Sequence, residues 1–236
     1  MSREREESMT GIIGAMRVEV DALKEKMENI VCEVVSGVEF CRGTLGGHEV
    51  VVAQCGVGKV FAALCAQTMI LRYGVKRIIN TGVAGTLSEK LSVLDVAVAS
   101  AVVQHDMDTS PLGDPVGLIS GINVVEIGAS KPLSDTIARA ARELGKTVEQ
   151  GVIASGDQFI NSAEKKAWIV GQFGAIACEM EGAAIGHVCY VNGVDFAVLR
   201  TISDNASGEA DMEFPEMARR AAEGAQAIVL RTLSYL

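Results

Sequence analysis

The chain has 236 residues, enough for one sizeable α/β domain without requiring a second. A formal net charge of −9 and an aromatic content of only 4% argue against nucleic acids and anionic membranes, which need a basic footprint, and against single-strand binding, which needs stacking platforms. With 49% hydrophobic and 22% charged residues the composition is that of an ordinary globular core, so small-molecule chemistry is the class that remains.

In chain order, residues 1–9 read as a flexible, charged extension and Thr10–Met16 as a buried strand, followed by a short helix over Val20–Met27. Phe40–Leu45 and Glu49–Gln54 read as a hairpin across Gly46–Gly47. Lys59–Arg72 has helical spacing, Arg77–Asn80 is a short strand and Val93–Val103 a long apolar one. The stretch Gln104–Gly121, rich in Asp, Pro and Gly, is too irregular for an element and long enough to suggest function. Pro132–Leu144 is a helix with Pro in its first turn and Gly145 beyond its end. Gly151–Ala154 is a strand, Ala163–Phe173 and Gly182–Asn192 are helices, Asp195–Thr201 is a strand, and the last helix spans Pro215–Leu233.

This alternation predicts a single α/β domain over 10–236, with a central mixed, mainly parallel β-sheet flanked by helices. No apolar run reaches membrane-spanning length and the charged start precedes no signal core, so a cytoplasmic protein is expected. The six cysteines show no CxxC pair and read as small buried hydrophobes in a reducing compartment. The three histidines lack ligand spacing, so no metal site is expected.

In such folds ligands gather where strands end, which singles out Gly14–Glu19, Gly56–Lys59, Thr81–Thr86, Ser155–Ile160, Cys178–Gly182 and Ser203–Ser207. Gly11–Met16 fails the spacing of a dinucleotide fingerprint, and Gly56-Val-Gly-Lys59 lacks both the leading Gly and the following Ser/Thr of a phosphate loop. Glu179 and Glu181 flank Met180 at a helix entrance, where the helix dipole alone also favours acids. A carboxylate beside a thioether suits a sugar, the acid accepting hydroxyls while sulfur packs on the apolar ring face. Asp204, followed by Asn205, is equally good turn chemistry, and Phe159 offers a purine a stacking surface or serves as partial core.

In order and spacing, GIIGAM followed by Glu19, GVGK, NTGVAG, SGDQFI, CEMEG and RTISD resemble the 5'-methylthioadenosine/S-adenosylhomocysteine nucleosidases of the nucleoside phosphorylase superfamily, over nearly the whole chain. The resemblance implies a nucleoside phosphorylase-like fold and hydrolysis of the N-glycosidic bond of 5'-thio-substituted adenosines, a step of methionine salvage and methyl-cycle recycling. It implies a small-molecule nucleoside partner, a homodimer, and no metal or organic cofactor. It implies Asp204 as the general acid on adenine N7, Glu19 as the base on the attacking water, and Glu181 with Met180 on the ribose. Phe159 would stack on adenine, Ile160 would read the purine edge through its backbone, Ser203 would orient Asp204, and Arg200 would lie near the water and ribose. Val57 and Phe214 would line the 5' pocket, with the Met107–Pro115 stretch contributed across the dimer. Val83 stands where some relatives have Ser; its apolar side chain cannot bond the water and disfavours phosphate. The competing expectations are a phosphate-dependent phosphorylase, a futalosine-type hydrolase, and a non-catalytic nucleoside-binding protein on the same fold.

Overall fold

The computed structural model describes residues 9–204 and 214–236, with only the backbone described for Asp204, Phe214 and Pro215. The strands are β1 (Thr10–Gly14), β2 (Glu28–Val35), β3 (Val38–Leu45), β4 (His48–Gln54), β5 (Arg77–Thr86), β6 (Val96–Gln104), β7 (Ile127–Gly128), β8 (Val148–Ser155), β9 (Ala175–Glu179) and β10 (Asp195–Asp204). The helices are α1 (Arg17–Lys24), α2 (Lys59–Tyr73), α3 (Lys131–Glu143), α4 (Ala163–Phe173), α5 (Gly182–Asn192) and α6 (Phe214–Leu233).

All strands join one mixed sheet in the order β10-β6-β8-β9-β5-β1-β4-β3-β2, with β7 on β6. Parallel pairings join β1 to β4 and β5, β5 to β10, and β6 through β8 to β9. Because β5 pairs with both β9 and β10, one half of the sheet curls into a closed ring and the other remains an open wing. One face of the sheet is covered by α2 and α5, which bury Cys65, Met69, Ile185 and Cys189. The other is covered by α1, α3 and α6, through Leu23, Ile137 and Ile228. The domain is thus single, α/β and helix-flanked, as the alternation of elements required.

Several local expectations change. Met9 belongs to the domain rather than to the N-terminal extension: its carbonyl accepts the Lys76 N–H and its side chain packs on the core. Residues 1–8 lie outside the described residues. The first helix starts three residues earlier than Val20 because Met16 is its N-cap, with Glu19 reaching back to the Met16 N–H at 2.9 Å. The hairpin forms across Gly46–Gly47, with Leu45 opposite His48. A further strand, β2, extends it; its residues are largely exposed, so no alternation of polarity marks it in the sequence. Cys32 on β2 directly opposes Cys41 on β3, and the two form a disulfide. The expectation of six buried thiols therefore holds only for Cys55, Cys65, Cys178 and Cys189. Among the described residues, no helix is long and apolar enough to cross a membrane.

Candidate active site

Glu19 lies in the first turn of α1, immediately beyond the carboxyl end of β1, and is buried. Its Oε2 accepts the N–H groups of Ala15 at 2.7 Å and Met16 at 2.9 Å, and its Oε1 accepts the Val83 N–H at 3.1 Å. Val83 is not in a loop: β5 continues through Thr86, so the NTGVAG motif is strand. Glycine at position 82 permits this, because a Cβ there would lie 2.4 Å from Glu19 Oε1. Val83 thereby serves the carboxylate through its backbone, whatever its side chain offers a water. Burial raises the Glu19 pKa above the usual carboxylate value, against the opposing pull of Arg200 and the three amides.

The turn from β9 into α5 carries two more acids with divided tasks. Glu179 is fully engaged by protein: it accepts the Glu181 and Gly182 N–H groups at the start of α5, the Ser155 hydroxyl, and a guanidinium N–H of Arg200. Burial pushes its pKa up, but Arg200, Ser155 and the Gly182 N–H outweigh that and hold it below the ordinary value. Arg200, 1% exposed, also donates to Asn80 Oδ1 at 2.5 Å and lies 3.7 Å from Glu181 Oε2. Among the described residues, Glu181 accepts one hydrogen bond, from the Gly58 N–H at 2.9 Å. Burial first, and then the neighbouring Glu179 and Glu19, raise its pKa to about 7 despite Arg200 and Gly58.

A cavity of about 220 Å³ opens over these groups. Of the residues expected at the site, Glu19, Val57, Val83, Phe159, Ile160, Met180, Glu181 and Ser203 all line it. Phe159 is 59% exposed, so it is a ring at the mouth rather than partial core. Arg200 is not in the lining; it lies beneath, held by Glu179 and Asn80. The Ser203 hydroxyl approaches the Ala84 carbonyl at 3.5 Å. The Asp204 backbone ends β10 beside Ser203, paired with Gly85, while the side chains of Asp204 and Phe214 lie outside the described residues. Sequence reasoning missed the structural tasks of Glu179, Ser155 and Asn80. The available signal for Glu179 was its place just before a helix entrance, where an acid can cap free N–H groups.

The sequence model of the Phosphorylase superfamily matches residues 10–234. A 5'-methylthioadenosine/S-adenosylhomocysteine nucleosidase of Staphylococcus aureus is 40% identical over 229 residues, covering 97% of this chain and 100% of that protein. The chain belongs to the 5'-methylthioadenosine/S-adenosylhomocysteine nucleosidase family of the phosphorylase superfamily. An aminodeoxyfutalosine nucleosidase of Helicobacter pylori is 40% identical over 214 residues, covering 90% of this chain and 92% of that protein. The crystal structure of the Neisseria meningitidis 5'-methylthioadenosine/S-adenosylhomocysteine nucleosidase in complex with methylthio-immucillin-A superposes with a TM-score of 0.93 at 34% identity, over 97% of this chain and 100% of the other.

In this nucleosidase-family chain, Arg200 is the cation that lets buried carboxylates coexist. Replacing it by Met leaves Glu179 buried without its partner, and breaking such a pair costs about 3–5 kcal/mol. Urea unfolding of Arg200→Met at pH 7 is expected to show a loss of that size. A loss under about 1 kcal/mol would show that proton uptake by the acids replaces the guanidinium.

Proposed function

We propose that this chain hydrolyses the N-glycosidic bond of 5'-methylthioadenosine and S-adenosylhomocysteine, and of 5'-deoxyadenosine, releasing adenine and the 5'-substituted ribose. The observation that carries the reading is one cleft lined by Glu19, Glu181, Met180 and Phe159, with Arg200 buried beneath. The nucleosidase relatives support it. Breaking this bond builds positive charge on the sugar and negative charge on the base, so the reaction needs an anion by the ribose, an acid at the purine and a held water. Glu181 accepts the ribose hydroxyls while Met180 packs on the ring. Phe159 stacks on adenine, and the Ile160 backbone reads its edge. Glu19 takes the proton of the attacking water; its raised pKa makes it a stronger base than an ordinary glutamate. Asp204, oriented by Ser203, protonates N7 and lets adenine leave, while Val57 and Phe214 line the 5' pocket. Water adds to the anomeric carbon as the bond to the base breaks, so the products are neutral adenine and a free sugar. The machinery would also serve an aminodeoxyfutalosine-type substrate, a reading favoured by the 40% identity to the Helicobacter pylori enzyme.

Purified protein supplied with 5'-methylthioadenosine and no phosphate is expected to release adenine and 5-methylthioribose. Asp204→Asn should turn over about 10²–10⁴-fold more slowly. Strict phosphate dependence, or a near-parental Asp204→Asn variant, would overturn the reading of reaction or acid respectively.

The pH dependence follows from Glu181. Its proton must be absent for it to accept two hydroxyls, and in the free enzyme that proton leaves near pH 7. Below that pH, kcat/KM is therefore expected to fall by about tenfold per unit, an acid limb that a rate profile from pH 5 to 9 will reveal. A flat profile between 5 and 7 would place the ribose anchor elsewhere.

We also propose a homodimer. Val60, Phe61, Leu64 and Leu71 form an exposed apolar face along α2, next to the cleft residue Val57. Such a stripe on a helix is the kind of surface that a second copy covers, and the Met107–Pro115 stretch would then reach the neighbouring 5' pocket. Light scattering should give twice the 24.8 kDa chain mass, and Leu64→Asp with Leu71→Asp should shift it towards the single chain.

A further inference from the structure

Three loops meet beside the cleft, following β4, β6 and β8, and a closed ring of hydrogen bonds joins them. Lys59 Nζ donates to Asp106 Oδ1 at 2.6 Å and to Gln104 Oε1 at 3.1 Å. The Asp157 N–H donates to Asp106 Oδ2 at 2.8 Å, and the Lys59 N–H donates to Asp157 Oδ1 at 2.7 Å. Each of the three residues is thus bonded to the other two, and both Asp106 oxygens are committed. The Lys59–Asp106 pair is largely shielded from solvent, with 18% and 16% side-chain exposure, so it is more than a screened surface contact.

The ring touches the site at two points. Gly58 precedes Lys59, and its N–H is the backbone donor to Glu181 Oε1. Its φ is +101°, and a Cβ there would lie 3.0 Å from Asp157 Oδ1, so the turn is built around that carboxylate. Two residues beyond Asp157 stands Phe159, in the cleft lining. We infer that Asp106 is a positioning residue for this site: by locking Lys59 to Asp157 it holds the Gly58 N–H on Glu181 and the Phe159 loop over the cleft. Its consequence for turnover rests on the proposed reaction; its consequence for Glu181 does not.

The test uses the sign of an effect. Glu181 faces Glu179 from its own turn, Arg200 from β10, Glu19 from α1 and Cys55 beyond β4. Deleting Asp106 removes a negative charge and unmasks that of Lys59, and by charge alone both changes lower the Glu181 pKa. Releasing the Gly58 N–H raises it, by about one unit if the bond is a normal one to a charged acceptor. The ¹³C-carboxyl NMR titration of the full chain, with Glu181 assigned by loss of its signal in Glu181→Gln, reads this directly. Asp106→Ala and Asp157→Ala are expected to raise the Glu181 midpoint by about one unit. Asp157→Asn, which keeps the acceptor for Lys59, should stay near the parental value. An unchanged or lowered midpoint in the alanine variants, or a rise in Asp157→Asn equal to that of Asp157→Ala, overturns the inference. If Asp106→Ala fails to fold, the Asp157 pair still decides. With 5'-methylthioadenosine the alanine variants should lose about tenfold in kcat/KM at pH 7, mainly through KM. An inactive parent would count against the proposed reaction, while the titration still decides the clamp.

Discussion

A single buried guanidinium organises this site. Arg200 has three glutamates around it, and its own burial is tolerated because Glu179, Glu181 and Glu19 together raise its pKa against desolvation. A buried charge without a partner is costly, and a buried pair repays desolvation only when the remaining donors and acceptors are also satisfied. Glu179 meets that condition through the start of α5, Ser155 and Arg200, whereas the buried Nε of Arg200 has no partner among the described residues. It is therefore the acid that neutralises the cation, which leaves the other two in excess. Glu19 and Glu181 line the cleft, both with raised pKa values, which is the state the proposed reaction would use.

The scaffold serves that arrangement by bringing the carboxyl ends of β1, β4, β5, β8, β9 and β10 to one place. The mixed topology matters here. Because β5 pairs with β1 and β10 along one part and with β9 near its end, a single strand links the turn bearing Glu19 to the turn bearing Glu181. Glu19 then rests on the backbone of that strand at Gly82 and Val83. A side chain at 82 would displace the carboxylate, so the glycine in NTGVAG serves proximity rather than a phosphate cradle.

The period and punctuation of the chain made most elements legible, including the hairpin, the helices from Lys59 onward and the cleft at the strand ends. What escaped has identifiable physical reasons. β2 is an exposed edge strand with no alternation, and missing it hid the register that opposes Cys32 to Cys41. The start of α1 lacks Ser, Thr, Asp or Asn, since the capping acceptor is Glu19 itself reaching backwards. At the site, local spacing made Glu181 suggestive and Asp204 ambiguous; six motifs in register carried their assignment. Glu179 sits within one of those motifs, yet its pairing with Arg200 is a contact between residues 21 positions apart. Single-sequence spacing does not encode such a contact.

The same electrostatics bears on the choice between water and phosphate. The shortage of Arg around Thr81–Thr86 and the apolar Val83 side chain were the sequence features that disfavoured phosphate, and the charge of the cleft adds to them. Among the described residues its lining is apolar, neutral polar or acidic, with no Lys or Arg, and the cation beneath it is already engaged by Glu179 and Asn80. A phosphate dianion entering beside Glu19 and Glu181 would meet like charges. At about 4 Å and an effective dielectric near 20, each such pair of unit charges repels by about 4 kcal/mol. A neutral water meets no such barrier, and a carboxylate with a raised pKa can take its proton. In the proposed reaction, the field that would stabilise a cationic sugar would thus also favour water as the nucleophile.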